Sequence, residues 1–397
     1  MSDTKTDPIV IVSGARTPMG SFQGSLQSMP APALGAVAVR AALEKAKVQG
    51  EDVDDVLMGC VLPAGQGQAP ARQAAFGAGM PDSVPCTTVN KMCGSGMKTV
   101  MMAYDSLHAN PGDVIVAGGM ESMTNTPHIL PKMRSGQRLG HTQVYDHMFL
   151  DGLEDAYDKG RLMGTYAEDT AQHYQFTREA QDAYAIESLK RAKTANEDGT
   201  FANEMVSVTV TSRKGDTVVE RDEQPFTASV DKIPTLRPAF AKDGTVTAAN
   251  SSSISDGAAA VVLMRASEAE RRGLTPLARI VGTASHAREP RWFTTAPIGA
   301  MKTLLEKVGW QAGDVGLYEI NEAFAVVTMA AMRELDLPHD KVNVHGGACA
   351  LGHPVGASGT RIILSLITAM EKYDQKKGVA SLCIGGGEAT AVALERF

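Results

Sequence analysis

One pattern occurs twice in this chain and limits its fold more than any other feature. In its first occurrence the strand-like Thr87–Val89 runs into the glycine-rich turn Cys93-Gly94-Ser95-Gly96. A helix with Met97, Val100, Met101 and Tyr104 on one face follows, and then a strand, Val114–Ala117, ending in Gly118-Gly119. In its second occurrence Val342–Val344 leads into the run from Gly346 to Gly359, a helix carrying Ile362, Leu366 and Met370, and the strand Ala380–Ile384 ending in Gly385-Gly386-Gly387. Apolar residues three and four apart mark one helix face, and short β-rich runs bounded by glycine mark strands. The repeat predicts a duplicated α/β fold; because α/β proteins repeat such units anyway, a single longer α/β sheet is the alternative.

The rest of the chain fits that frame. Ile9–Ser13, a helix over Leu34–Lys47 and the strand Val56–Val61 precede the first copy. Strands over Ala258–Met264, Ala278–Ala284 and Val315–Ile320 lead into the second. From Met120 to about Ala249 the rhythm breaks into polar stretches punctuated by proline and glycine, around one amphipathic helix, Glu179 to Ala192. Structureless loops of that length are rare inside a compact core, so this part reads as a long insertion. A length of 397 residues allows two or three domains, or one fold duplicated.

Composition removes several classes of function. Five cysteines are too few and of the wrong parity for a disulfide framework, which points to free thiols in a reducing compartment. The start, MSDTKTDP, is short and polar and leaves no room for a targeting peptide, and no apolar run reaches a membrane span, so a cytoplasmic location is expected. A net charge of −7 gives no reason to expect nucleic acid or an anionic membrane as partner. No G-x-G-x-x-G follows a strand and no phosphate-binding G-x-x-x-x-G-K-[ST] occurs. The 39 glycines exceed the usual share and are expected where a ligand must approach the backbone.

Ligands of open α/β sheets collect at the carboxyl ends of strands, where helix amino termini also point. Cys93, Asn321, His353 and Cys383 fall at such places. Cys93 lies just ahead of a helix, whose positive end favours a thiolate and lowers the thiol pKa. A small buried cysteine is the commoner fate for such a residue, and the same holds for Cys383. His353, followed by proline and fenced by glycines, reads as an exposed base or as an ordinary loop histidine. Asn321 would cap a helix beginning Glu322-Ala323-Phe324, a task compatible with holding a water or an oxyanion. His345, Cys349 and His353 are spaced by four, but the surrounding glycine and proline argue against a helix there, and no metal site is expected.

Taken together, the stretches NKMCGSGMK around Cys93, GGMESM at Gly118–Met123, TAANSSSISDGAA around Ser252, NEAF at Asn321–Phe324, GGACALGHPVGASG around His353 and CIGGG from Cys383 resemble the thiolase family, most closely its short-chain acetyl-CoA acetyltransferases. The resemblance implies an α/β fold built of two βαβαβαββ halves layered α-β-α-β-α. Residues 1–122, completed by 250–272, would form the first half, 123–249 an inserted loop domain and 273–397 the second half.

It also implies roles. Cys93 would be the nucleophile that takes an acyl group from acyl-CoA, and a thiol suits this because exchange between two sulfurs is nearly isoenergetic. His353 would activate Cys93 and, with Asn321 acting through a water, stabilise the thioester oxygen. Cys383 would be the second acid/base, and the backbone N–H groups of Cys93 and Gly385 a further oxyanion hole. Ser252, Met163 and Phe324, with neighbouring Ala323 and Leu162, would line the CoA site. The cycle implied is a reversible ping-pong Claisen condensation of two acetyl-CoA to acetoacetyl-CoA and CoA. CoA thioesters are then substrates, and no cofactor is needed. A dimer paired into a homotetramer through roughly Asn125–Gly140, and a place in fatty-acid metabolism, are further expectations of the same kind.

The chain departs from the family pattern in three places. Leu162 stands where relatives carry a histidine, no arginine is in register near Phe226 to pack on an adenine, and Glu388-Ala389 follows the last glycines. A degradative 3-ketoacyl-CoA thiolase of broader chain length is the alternative activity, and Trp292-Phe293 would then line or close its pocket, or simply pack at the surface. A ketoacyl synthase-type condensing enzyme is disfavoured by Cys383. A thiolase-like acyl-CoA-binding protein without catalysis is disfavoured because all four catalytic positions are filled.

Overall fold

A computed structural model describes residues 7–397; the stretch 1–6, where the absence of a targeting peptide was expected, lies outside the described residues. In chain order the main elements are β1 (Ile9–Arg16), α1 (Ala31–Ala46), β2 (Asp55–Gly59), α2 (Pro70–Gly77), β3 (Cys86–Val89), α3 (Ser95–Ala109) and β4 (Ile115–Ser122). The intervening region holds α4 (Met163–Tyr174) and α5 (Arg178–Glu197). Then come β5 (Ser255–Arg265), β6 (Ala278–Ala287), α6 (Ala296–Val308), β7 (Leu317–Ile320), α7 (Ala325–Leu335), α8 (Ser358–Lys372), β8 (Lys377–Ile384) and β9 (Glu388–Glu395).

The nine strands run in the order β7-β8-β9-β6-β1-β5-β4-β2-β3, with Gly20–Ser21 paired to the edge of β5. The order is the same when read outward from the centre. On one side β1 pairs antiparallel with β5, β5 antiparallel with β4, and β4 parallel with β2. On the other, β6 pairs antiparallel with β9, β9 antiparallel with β8, and β8 parallel with β7. Even the irregularities match, with a register shift at Ile11/Ser13 in β1 and at Ile280/Gly282 in β6. Only two residue pairs, Val10 with Arg279 and Ile11 with Ala278, join the halves at the seam. The parallel strand Val342–Val344 expected outside β7 is reduced to one bridge, Tyr318 with Val342.

A second mark of duplication escaped the sequence reading. Gln49-Gly50-Glu51-Asp52 and Gln311-Ala312-Gly313-Asp314 form matching single turns in front of β2 and β7, each closed by a reciprocal Gln–Asp capping box.

Five layers result. Helices α1 and α2 cover the outer face of the first sheet, and α6 and α7 that of the second. Between the sheets α3 and α8 share one apolar cluster with strands of both halves. In α8 every residue from Ser358 to Met370 is buried, as befits a helix enclosed on all sides. Strand β5 is likewise buried along all but its last residue, which explains its unbroken apolar run.

The glycine excess serves this layering more than it serves ligand access. A Cβ at Gly359 would lie 2.2 Å from the Met97 backbone nitrogen, and one at Gly119 only 1.9 Å from the Gly356 carbonyl oxygen. The amino termini of α3 and α8 therefore meet backbone to backbone. Gly385, by contrast, faces nothing closer than the Met163 sulfur at 3.5 Å.

Residues 123–254 add no strand to the sheet and contain the helices α4 and α5, where the sequence pattern had suggested one helix. Helix α4 is short and carries polar residues among its buried positions, Gly164, Tyr166, Ala167, Thr170 and Ala171, which hid its periodicity. Among the described residues no helix is long and apolar enough to cross a membrane.

Candidate active site

The turn carrying Cys93 is tightly determined. Met92 holds a left-handed conformation at φ +46°, which costs a residue with a side chain roughly 1–2 kcal/mol. Three local bonds keep it there. The Met92 N–H donates to Asn90 Oδ1 at 2.9 Å, the Lys91 N–H donates to Ser95 Oγ at 2.8 Å, and that hydroxyl donates to the Met92 carbonyl at 2.7 Å. The turn directs the Cys93 sulfur at the loop following β8, where the N–H groups of Gly385 and of Cys93 itself both address it. Lys91 and Glu388 form an ion pair across the same two loops.

The thiol does not carry the lowered pKa expected of a helix amino terminus. Burial pushes Cys93 up to about 11, and the two N–H groups only partly offset this. A shift from 9 to about 11 amounts to roughly 3 kcal/mol, more than the 0.3–1 kcal/mol a helix terminus typically supplies. Cys383 is buried, and desolvation together with the nearby Cys93 raises it well above the usual thiol range. Two thiols thus share one site, each disfavouring ionisation of the other.

His353 is buried, at 5% exposure, rather than the exposed base the loop composition suggested. Its N–H donates to the Ser253 carbonyl at 3.1 Å, and its Nδ1 lies 2.6 Å from Ser358 Oγ. Ser358 has one hydroxyl proton and donates it to the Pro354 carbonyl at 3.0 Å. With the hydroxyl so directed, the Ser358 oxygen accepts from Nδ1–H, and Nε2, buried and without a protein partner, is the unprotonated nitrogen. Burial, aided by the charge of Arg361, lowers the histidine to about 3, so the imidazole is neutral. The resting site is a neutral thiol with a neutral base.

Asn321 does not cap a helix. A tight turn, closed by the Ala323 N–H on the Asn321 carbonyl at 2.9 Å, separates it from α7, which begins at Ala325 after the extended Phe324 with no side-chain cap. The Asn321 N–H donates to the Ser381 carbonyl on β8 at 3.0 Å, tying this loop to the strand that carries Cys383. Its Oδ1 accepts from Arg361 at 3.3 Å, and its Nδ2 is buried without a partner. Nε2 of His353 and Nδ2 of Asn321 are thus a free acceptor and a free donor within the same core.

An apolar wall leads away from this centre. Met163 lies over Gly385, and Phe324 packs edge-on to Phe240 and Phe293 at 6.0 and 6.5 Å. Ser252 and Ala323 are joined by an N–H to carbonyl bond of 2.9 Å, which places the serine loop beside Phe324. Leu162, partly exposed, immediately precedes α4. Phe293 is buried under Phe324, whereas Trp292 sits against His173 of α4. Near Phe226 the sequence had offered no arginine in register, yet Arg221 lies over the Phe226 ring at 4.2 Å.

Two buried carboxylates went unnoticed in the sequence. Glu121 accepts the N–H groups of Val61 and Gly356, both at 2.9 Å, and of Leu62 at 3.1 Å, which fastens the His353 loop to the first half. Burial raises it to about 7. Glu322 accepts from Tyr184 at 2.8 Å and Ser188 at 2.7 Å on α5, from Asn343 Nδ2 at 2.9 Å and from the Cys349 N–H at 3.1 Å. Each lies inside a quoted motif, GGMESM or NEAF, but Gly356 for Glu121 and Tyr184 and Ser188 for Glu322, all more than 100 residues away, were needed to give it a task. His345, Cys349 and His353 do not converge: His345 lies against Phe201 and Tyr373, Cys349 against Glu322 and His353 against Ser358.

Known proteins with these features can now be compared. Residues 9–267 match the family described as Thiolase, N-terminal domain, and residues 274–396 that described as Thiolase, C-terminal domain. The chain belongs to the thiolase family. It is 49% identical over 390 residues to the acetyl-CoA acetyltransferase of Cupriavidus necator, an alignment covering 98% of this chain and 99% of the relative. Acetyl-CoA acetyltransferase 2 of Arabidopsis thaliana is 50% identical over 98% of this chain and 96% of its own length. The mitochondrial acetyl-CoA acetyltransferase of Bos taurus is 47% identical, with 100% and 93% covered. Family membership accords with the duplicated sheet and its five layers.

Proposed function

We propose that this protein is an acetyl-CoA C-acetyltransferase, joining two acetyl-CoA reversibly to give acetoacetyl-CoA and CoA. The observation that carries the reading is a sulfur, Cys93, set against two backbone N–H groups beside a second thiol, Cys383, with a neutral histidine presenting a bare Nε2 in the same core. Relatives about half identical over nearly the whole chain bear the same activity in their names.

In this reading Nε2 of His353 takes the Cys93 proton as the sulfur attacks the thioester carbonyl. The N–H groups of Cys93 and Gly385 stabilise the oxyanion, and CoA leaves as the thiol after reprotonation. Cys383 then gives its own proton to solvent, and the resulting thiolate removes a proton from the α-carbon of a second acetyl-CoA. His353 and Asn321 stabilise the enolate oxygen, Asn321 through a water, and the carbanion attacks the acetyl carbonyl and expels the Cys93 sulfur, which regains a proton from solvent. Because Cys93 and His353 are neutral at rest, the Cys93 proton moves to Nε2 together with formation of the carbon–sulfur bond. Ser252, Met163, Ala323, Phe324 and Leu162 receive the CoA arm, the serine as the polar contact along an apolar path.

The decisive assay incubates the protein with acetoacetyl-CoA and CoA and follows loss of 3-ketoacyl-CoA absorbance. Absence of turnover with titratable thiols intact refutes the reading. A chain-length series compared by kcat/KM separates the acetyl-specific enzyme from a broader degradative one, with a steep fall beyond the four-carbon substrate expected.

A homotetramer belongs to the same proposal. Its support is an exposed apolar set, Leu130, Met133 and Leu139, in the segment the family resemblance implicates. Light scattering of the purified protein tests it, and a dimer mass removes it. A cytosolic location is supported by five cysteines that form no disulfide, and localisation of a tagged copy checks it.

A further inference from the structure

Arg361 is the sole charged residue in the enclosed stretch Ser358–Met370 of α8, and it is 1% exposed. Burying a guanidinium without a counter-charge is expensive, so its surroundings bear on its purpose. Its Nη1 lies 3.8 Å from Glu319 Oε2, and its Nη2 donates to Asn321 Oδ1 at 3.3 Å. Glu319 and Asn321 sit at the end of β7, two residues apart. Nε and Nη1 of Arg361 have no hydrogen-bond partner, nor has Oε1 of Glu319. The hydrogen bonds within the protein do not account for a charge placed here.

The chemistry of the two groups supplies the account. A guanidinium only donates hydrogen bonds, whereas a primary amide has one accepting end and one donating end. Arg361 can therefore satisfy only the oxygen of Asn321. The amide nitrogen must then turn away from it, and Nδ2 is the end left buried and unpartnered. We infer that Arg361 is a positioning residue for Asn321, fixing which way its amide faces so that Nδ2 is offered as a donor to the reacting oxygen. Glu319, whose carboxyl burial pushes up to about 8, lies 3.8 Å from the guanidinium at the foot of the loop. With Arg361 gone, the amide is free to flip, and the oxygen it would then present repels an enolate. The same positive charge also reaches His353 and adds to burial in keeping that imidazole neutral.

This inference rests on the role proposed for Asn321 in condensation. It separates the half-reactions, because the oxyanion of acetyl transfer to Cys93 is assigned to the N–H groups of Cys93 and Gly385, not to Asn321. The test compares Arg361→Met and Arg361→Lys, each alone and combined with Asn321→Ala. Labelled acetyl-CoA measures acetylation of Cys93, and acetoacetyl-CoA thiolysis measures turnover. Arg361→Met is expected to lower kcat by about tenfold or more, with KM and the acetylation rate within about threefold, and Arg361→Lys to recover part of the loss. In the Asn321→Ala background, Arg361→Met should cost nothing further. Full additivity of the two losses, or wild-type turnover by folded Arg361→Met, overturns the inference.

If Arg361→Met does not fold, Asn321→Asp decides. It keeps an acceptor for the guanidinium and removes only the donor, so it should melt no lower than wild type while losing turnover. A lowered Tm or retained turnover counts against Arg361. Wild-type protein that cannot be acetylated at all would instead defeat the proposed reaction.

Discussion

Replacing Ser358 by alanine tests the protonation state on which the proposed chemistry depends. Ser358 Oγ lies 2.6 Å from His353 Nδ1 and, with its hydroxyl donating to the Pro354 carbonyl at 3.0 Å, accepts from Nδ1–H. This fixes the tautomer with Nε2 free. Alanine leaves a buried Nδ1–H without an acceptor, at a cost of about 1–3 kcal/mol for the unmade bond. The imidazole can escape that cost by moving its proton to Nε2, and it then no longer presents a base to Cys93. Taking about 2 kcal/mol as the bias removed, the active tautomer falls by roughly 30-fold. The acetylation rate of Cys93 should therefore drop by about 10- to 100-fold, with KM for acetyl-CoA within about twofold, since no CoA contact is lost. Quenched-flow trapping of the labelled acetyl-enzyme measures this step alone. Ser358→Thr, which keeps the hydroxyl, should retain most of the rate if its extra methyl is accommodated. Folded Ser358→Ala that acetylates at the wild-type rate would show that the Nδ1 bond does not set the tautomer, and the neutral-pair mechanism would fall with it.

Further outcomes follow from the same geometry. Cys93→Ser should abolish acetyl-enzyme formation, whereas Cys383→Ser should leave acetylation largely intact and block condensation; normal condensation by the second variant refutes the role of Cys383. With Cys93 at about 11 and His353 at about 3, neither group titrates near neutrality. The acetylation rate constant should accordingly vary less than about twofold between roughly pH 5 and 9, and a sigmoid centred near 7 would contradict the neutral pair. Glu121 binds its proton more tightly folded, at about 7, than at its ordinary 4.5, so the folded state holds more protons across that window and stability falls as pH rises through it. The span corresponds to about 3 kcal/mol, and Glu121→Gln should flatten the dependence of Tm on pH between those values. Gly359→Ala drives a methyl to 2.2 Å from the Met97 backbone nitrogen, and it should cost about 3 kcal/mol or more in denaturant unfolding.

Most of the architecture was legible in the chain because the hydrophobic rhythm is local. Runs such as Ile9–Val12 and Ala258–Met264 announce buried strands without reference to anything distant. Where a rhythm was weak, as in α4 with its polar buried positions, the helix was missed. The candidate site was legible in part for the same reason. Glycines beside Cys93, His353 and Cys383 mark strand ends, and strand ends are where such sheets hold ligands. Their reason for being glycine was not legible. Gly119 and Gly359 admit a backbone from the opposite half, more than 200 residues away.

By itself, the sequence determined the α/β class, pointed to the duplication and placed Cys93, Asn321 and Cys383 at strand ends, since strand and turn propensities depend on neighbours in the chain. Tertiary structure decided the chemical state of those groups. Burial raises Cys93 despite the helix behind it, Ser358 sets the tautomer of His353, and Arg361 selects the face that Asn321 presents. Ionisation and hydrogen-bond direction depend on what surrounds a group in space. In this protein Gly385 reaches Cys93 from the opposite half of the fold, Arg361 reaches Asn321 from α8, and Ser358 meets His353 across a turn. No window along the chain contains them all.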